Sequence, residues 1–235
     1  MIKDISIEST RKELSANGGL LFFANLMKRL ELESHLEKIL PSQKTLALIM
    51  GFVVGAECLD DHDDLSNESC FSQSIKSYAS TTLGKFLRSL SPMQIHELCS
   101  LSTDLSFKLR KLLFPNENKF ILAIDSTPHE QTGKKMEGVA WNYKNLWCLD
   151  SLNAFDQFGF SYGFDLRSGN TYSGNGAELM IRDVFKRVPK GLAKYFRADS
   201  AYANLGVYNE LLNANVKFAI CLKANSWGAL LDKYS

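Results

Sequence analysis

The sequence contains no Cys-x-x-Cys pair: its five cysteines, Cys58, Cys70, Cys99, Cys148 and Cys221, are scattered. That excludes a cysteine-built zinc site or a disulfide framework and fits a reducing cytosolic compartment. Charge of one sign is also missing. Lys and Arg number 27 against 26 Asp and Glu, a net charge of +1, so the chain is no generic polycation and any contact with nucleic acid must come from local patches. No basic-then-apolar leader follows Met1-Ile-Lys-Asp-Ile5, which argues against secretion. Long hydrophobic runs are absent too. The longest uncharged stretch, Thr45 to Ala56, falls short of the roughly 20 residues that span a bilayer and reads as a buried core helix. Internal repeats and low-complexity tracts are likewise absent, which excludes a solenoid.

What is present is an ordinary globular composition, 45% hydrophobic and 23% charged over 235 residues, enough for one large domain or two modest ones. From Gly19 to about Leu113 the periodicity is helical. Leu20, Phe23, Ala24, Met27 and Leu30 recur at helical spacing, Leu46 to Leu59 follows as a second helix, and Ser91-Pro92 reads as an N-cap and first residue of a helix running toward Leu113. Pro115-Asn-Glu-Asn-Lys119 breaks the pattern, and a boundary between residues 118 and 119 is expected there.

Beyond the break the pattern turns to strands. Phe120 to Ile124 is apolar at every position, as in a strand covered on both faces. Leu146 to Phe155 and Phe160 to Leu166 alternate more and are joined by the turn Asp156-Gln-Phe-Gly159, giving an expected three-stranded meander. A helix carrying Ala177, Met180, Ile181, Val184 and Val188, a strand from Tyr195 to Ala198, a helix through Leu205, Tyr208, Leu211 and Leu212, and a strand from Val216 to Leu222 complete the order β-β-β-α-β-α-β. The predicted class is α/β: a helical N-terminal region followed by a ribonuclease-H-like mixed sheet, in which the first and fourth strands are neighbours.

Asp125 closes the first of these strands and Asp199 follows the fourth. A carboxylate ending a strand buried on both faces needs a metal, a cation or several donors beside it. Two facing carboxylates repel unless a hard cation lies between them, and Mg²⁺ accepts one or two carboxylates together with phosphate oxygens and water. Such ions serve in-line displacement at phosphorus. The plainer reading is that each Asp caps the turn that follows it. Arg167-Ser-Gly-Asn170 offers a guanidinium and a glycine through which backbone N–H groups can approach a phosphate, or else a simple turn. Arg197 lies two residues before Asp199 and is placed either to meet a DNA backbone or to hold the carboxylate. In the first half, Ser80 reads as an N-cap and Leu83, Phe86, Leu87 and Leu90 as a buried face, leaving Thr81, Thr82, Lys85 and Arg88 outward as in a recognition helix or any solvated one. Asp60-Asp-His-Asp-Asp64 lacks the glycine and distal Glu of a calcium loop and reads as a solvated interhelical loop.

Asp125-Ser-Thr127, Arg167-Ser-Gly-Asn170 and Arg197-Ala-Asp-Ser-Ala-Tyr202, in that order, resemble the successive signatures of DDE transposases of bacterial insertion sequences. Asn17-Gly-Gly-Leu-Leu21, Gly55 to Asp61 and Ala79 to Leu87 are similar to the branch that has a helical N-terminal region and a mostly β insertion in its ribonuclease-H-like core. The resemblance implies residues 1–118 for binding transposon ends and residues 119–235 for a partial catalytic domain. It also implies Asp125 and Asp199 as catalytic ligands of Mg²⁺ or Mn²⁺, and Arg167, Asn170, Arg197, Lys85 and Arg88 as DNA contacts. The implied partners are terminal inverted repeats, target DNA and further copies of the chain, with no membrane, in a bacterial cytoplasm near the nucleoid. The family's third acid, a glutamate on a late helix, has no match before Ser235; Asp232 and Glu210 are weak substitutes. A C-terminally truncated and impaired transposase is therefore expected, with an inactive DNA-binding remnant that competes with a full-length enzyme as the alternative.

Overall fold

The computed structural model of the protein describes residues 17–133 and 135–222. They divide after Leu98 into two compact units. The first holds helices α1 (Leu20–Arg29), α2 (Leu32–Leu36), α3 (Ser42–Val53), α4 (Asp61–Leu65), α5 (Ser69–Ser74) and α6 (Ser80–Arg88), and the division falls within α7 (Pro92–Leu113). Leu40, Leu48, Leu83 and Phe86 form a core against which Leu59, Tyr78 and Leu90 pack. Ser91 and Gln94 make the reciprocal capping bonds expected ahead of α7: Gln94 N–H donates to Ser91 Oγ and Ser91 N–H to Gln94 Oε1.

Two expectations here need correction. Leu87 is exposed, because Leu83, Gly84 and Phe86 form the narrow inward stripe of α6. The acidic run is not a plain loop: it forms α4 and caps its surroundings. Asp61 accepts from the backbone N–H groups of Glu57 and Cys58, and Asp63 accepts from the N–H of Ser80, so Ala79 rather than Ser80 occupies the α6 cap position. The Cys58 N–H holds the Asp61 carboxyl below its usual range, and Ser80 does the same for Asp63.

The second unit is built on one mixed sheet: β1 (Lys119–Glu130), β2 (Ala140–Trp141), β3 (Trp147–Asp156), β4 (Ser161–Ser168), β5 (Ala193–Ala198) and β6 (Lys217–Ile220), with α8 (Ala177–Arg187) and α9 (Leu205–Asn213) in the crossovers. The strands lie in the order β4-β3-β1-β5-β6, with the two-residue β2 beside the end of β3. β1, β3 and β4 are antiparallel, whereas β5 and β6 run parallel to β1. This is the ribonuclease-H-like order anticipated from the sequence. β1 is longer than expected and continues through Asp125 and Pro128 to Glu130. Pro128 is tolerated because the β5 ladder stops at Ala123 and Arg197, so this stretch of β1 has a single neighbour.

One face of the sheet carries the core. Phe120, Leu122 and Ile124 of β1, Leu152 and Ala154 of β3 and Phe196 of β5 pack against Ala177, Ile181 and Val184 of α8 and Val207 and Leu211 of α9. Each large apolar side chain buried there stabilises the unit by about 1.5–3 kcal/mol. The opposite positions of β1, Ile121 and Ala123, are only half-buried, so the strand is not covered on both faces as its composition suggested. The meander turn is held by Asp156, whose Oδ1 accepts from the N–H groups of Phe158 and Phe160 while Oδ2 accepts from the Tyr162 hydroxyl and lies 3.2 Å from Arg110 Nε. Among the described residues, no helix is long and apolar enough to cross a membrane.

Candidate active site

Asp125 and Asp199 come together because β1 and β5 are parallel neighbours in a fixed register. Ala123 faces Arg197 in the last pair of the β1–β5 ladder; Asp125 lies two residues further along β1, and Asp199 follows directly on the end of β5. Neighbouring strands lie about 4.8 Å apart, and residues level on them point to the same face. That is the face opposite the core, and both aspartates are exposed. The expectation of a desolvated Asp125 is thus corrected: with one side of the sheet open, no burial penalty demands a partner for it. Asp125 Oδ1 accepts from the Ser126 N–H at 2.8 Å. Asp199 Oδ1 accepts from the Ala201 N–H, also at 2.8 Å, and so caps the 3₁₀ turn Ser200–Tyr202. Both local capping roles are real, and each leaves the other carboxylate oxygen without a hydrogen bond to a described residue.

Arg167 is not presented to solvent. Its Nε donates to Asp150 Oδ2 at 3.0 Å, Nη2 pairs with the same oxygen, and Nη1 donates to the carbonyls of Ser173 and Asn175; only 7% of its side chain is exposed. Four of its five N–H groups are so committed, and the guanidinium holds structure here rather than standing free in a loop. It anchors instead the loop after β4. From that loop the Tyr172 hydroxyl donates to the carbonyl of Ala201, within the turn that Asp199 caps. Gly169 serves close packing: a Cβ there would lie 1.9 Å from the Cys148 carbonyl oxygen. Asn170 is exposed, its Oδ1 accepting from the Ser168 hydroxyl.

Arg197 is exposed on the same face as Asp199 and makes no ion pair among the described residues. Lys85 and Arg88 are exposed on α6, and Thr81 with them, whereas Thr82 is half-buried. Glu210, on α9, is paired through both oxygens with Arg182 of α8, whose hydrogen bonds hold its carboxyl below the usual range. It is therefore engaged elsewhere. Asp232 lies outside the described residues, and among those described no third His, Cys, Asp or Glu completes a metal-ligand group.

Two participants escape a reading of the sequence motifs. Asp150 is an acid at an inward position of an alternating strand, a signal that a buried cation faces it. Tyr202 is fully buried, its hydroxyl beside the Ser126 side chain. Burial pushes the phenol up, reinforced first by the charge of Asp125 and then by that of Asp199, so the hydroxyl remains a protonated donor.

The donor set suits a hard divalent cation. Two exposed carboxylates, one on β1 and one in the turn after β5, match the share of ligands that a protein supplies to Mg²⁺ when phosphate and water supply the rest. The family profile described as Transposase DDE domain group 1 matches residues 2–229. The chain belongs to this family. No curated protein matches this DDE transposase-family chain. Among solved structures, it is similar to the catalytic domain of Mos1 mariner transposase at 12% identity, covering 62% of this chain and 82% of that one with a TM-score of 0.32. The Mos1 strand transfer complex overlaps 81% of this chain and 63% of that one at 10% identity and a TM-score of 0.31. The simian T-cell lymphotropic virus intasome in complex with PP2A regulatory subunit B56 gamma overlaps 50% of this chain and 40% of that one at 14% identity and a TM-score of 0.30. The chain thus spans less than half of the intasome chain that it matches, and overlaps this loose transfer no property to it.

Proposed function

We propose that the chain acts on DNA as an insertion-sequence transposase, cutting at terminal inverted repeats and joining the freed 3′ end to target DNA. The observation that carries this reading is the pair Asp125 and Asp199, both exposed, one on β1 and the other just past the end of its parallel neighbour β5, in a chain that belongs to the DDE family. Asp125 and Asp199 hold Mg²⁺ or Mn²⁺, which when bound supplies Lewis-acid activation of the attacking oxygen and charge stabilisation of the leaving one. Arg197, beside Asp199, meets the DNA backbone, and Asn170 contacts it from the loop. Arg167 and Asp150 act at one remove, keeping that loop and the Asp199 turn in place. Lys85 and Arg88 contact phosphates from the helical unit, within residues 1–118 that recognise transposon ends. Copies of the chain associate when two ends are brought together, in the bacterial cytoplasm.

With two carboxylates rather than three among the described residues, the same observation favours a weak metal site and slow cleavage by this chain. In that state it competes with a fully active transposase for transposon ends. The test is Mn²⁺-dependent nicking and joining of labelled DNA carrying the inverted repeats that flank the gene. Slow, metal-dependent products that vanish in Asp125→Asn and in Asp199→Asn are expected. Products unchanged by both substitutions would overturn the assignment of the pair.

A further inference from the structure

The β2–β3 hairpin holds aromatic rings out in solvent. Trp141 and Tyr143 are 62% and 82% exposed, and Lys144 is exposed beside them, its Nζ 5.4 Å from the centre of the Tyr143 ring. The loop is built to keep them there. Asn142 Oδ1 accepts from the N–H groups of Lys144 and Leu146, the Asn142 N–H donates to the Leu146 carbonyl, and Asn145 takes a left-handed conformation, φ 56°, to close the turn. Trp147 braces the pair: its ring centroid lies 5.5 Å from that of Trp141, and its Nε1 donates to the Gly133 carbonyl. Rings fixed in this way lose little freedom when a partner covers them. Their position and charge say what the partner is. Trp141 pairs with Trp147, which shares its face of β3 with Leu149, Ser151 and Asn153, and Asn153 lies directly across from Asp125. The rings are therefore on the face of the sheet that carries Asp125, about 20 Å along β3 from it at 3.4 Å per residue. Residues 131–146 hold Lys134, Lys135 and Lys144 against Glu137, a charge of +2 in a chain whose total is +1. Flat rings with cations beside them match a polyanion that presents flat rings of its own.

We propose that this hairpin is a stacking platform for unpaired DNA bases: Trp141 and Tyr143 take bases on their ring faces while Lys144 neutralises an adjoining phosphate. The inference rests on the reading that the chain acts on DNA, and adds to it a single-strand contact separate from the metal pair. Intact duplex cannot use the rings, because its bases already stack on one another. Unpaired nucleotides can, whatever their sequence, since every base has a π-face. The hairpin thus holds an opened strand on the Asp125 face without reading its sequence.

The experiment titrates the full chain into fluorescein-labelled oligodeoxythymidylate, and into a duplex of the same length, and follows anisotropy. The proteins are the wild type, Trp141→Leu with Tyr143→Ala, Trp141→Phe with Tyr143→Phe, and Asp125→Asn. Loss of both rings is expected to weaken single-strand binding by at least about fivefold for each ring and to leave duplex binding nearly unchanged. The phenylalanine pair should retain most of the affinity, and Asp125→Asn all of it. Oligodeoxythymidylate should also quench the tryptophan emission of the wild type, and Trp141→Phe should remove most of that quenching. Unchanged single-strand affinity without the rings, in a chain that still binds DNA, overturns the platform and leaves the DNA reading standing. Equal losses for single strand and duplex make the hairpin a backbone contact and overturn stacking. Unchanged single-strand affinity together with loss of self-association in sedimentation assigns the rings to a second copy of the chain and also overturns it. Absence of binding to either DNA by the wild type overturns the DNA reading, and this inference with it.

Discussion

Removing Asp150 should unseat Arg167 at a predictable cost. The two side chains are 10% and 7% exposed, and one carboxylate oxygen takes both Nε and Nη2 of the guanidinium. Asp150→Ala leaves a buried cation facing only the Ser173 and Asn175 carbonyls, which is worth about 3–5 kcal/mol of stability. Asp150→Leu combined with Arg167→Met removes both charges and keeps the volume, and is expected to recover most of that loss. Urea unfolding followed by tryptophan fluorescence isolates the relevant unit, since Trp141, Trp147 and Trp227 all lie after the division at Leu98. With a urea dependence of about 2 kcal/mol per molar, the single variant should unfold about 1.5–2.5 M earlier in urea than the wild type. A shift below about 0.5 M, or a double variant no more stable than the single, would mean that Asp150 does not hold Arg167 in place. Because Arg167 anchors the loop that reaches the Asp199 turn, Asp150→Ala should also weaken Mn²⁺ binding.

Other outcomes follow from the helical unit. His62 is buried, and desolvation pulls its pKa below the ordinary value, offset in part by Asp61 and Asp63. The unfolded chain therefore takes up a proton near pH 6.5 that the folded one refuses. Stability is full above that pH and is lost as pH falls from about 6.5 toward the depressed value, a slope that urea unfolding between about pH 7.5 and 5.5 should show and His62→Gln should remove. The same ring forbids a larger residue at position 51: a Cβ on Gly51 would lie 2.2 Å from His62 Cε1. Gly51→Ala should cost about 1–3 kcal/mol by circular dichroism melts, with most of it regained when His62→Ala is added. Replacing Lys85 and Arg88 by alanine should make the salt dependence of DNA binding shallower, by about 0.9 for each phosphate the two side chains neutralise, and an unchanged slope would remove α6 from the interface.

The strand and helix order was readable because alternation and helical spacing survive in most elements, and α7 begins at the residue its Ser-Pro signal indicates. The parallel register of β1 and β5 then determines the neighbours of Asp125, which no local pattern states. Three features were hidden for physical reasons. Ser126-Thr-Pro128 looks like a turn, but a strand with one open edge tolerates proline, so β1 continues. Five consecutive apolar residues suggested cover on both faces, although Ile121 and Ala123 are half-open. Arg167 looked like a free cation because its partner lies on the neighbouring strand, and only the β3–β4 register, Asp150 opposite Arg167, reveals the pair.

Crystals of the full chain soaked in Mn²⁺, with anomalous scattering used to locate the ion, show directly whether Asp125 and Asp199 hold metal. A peak between the carboxylates of Asp125 and Asp199, absent in Asp199→Asn, is the expected result. Mn²⁺ bound elsewhere in the second unit, or no peak at the pair with both aspartates ordered, would contradict it.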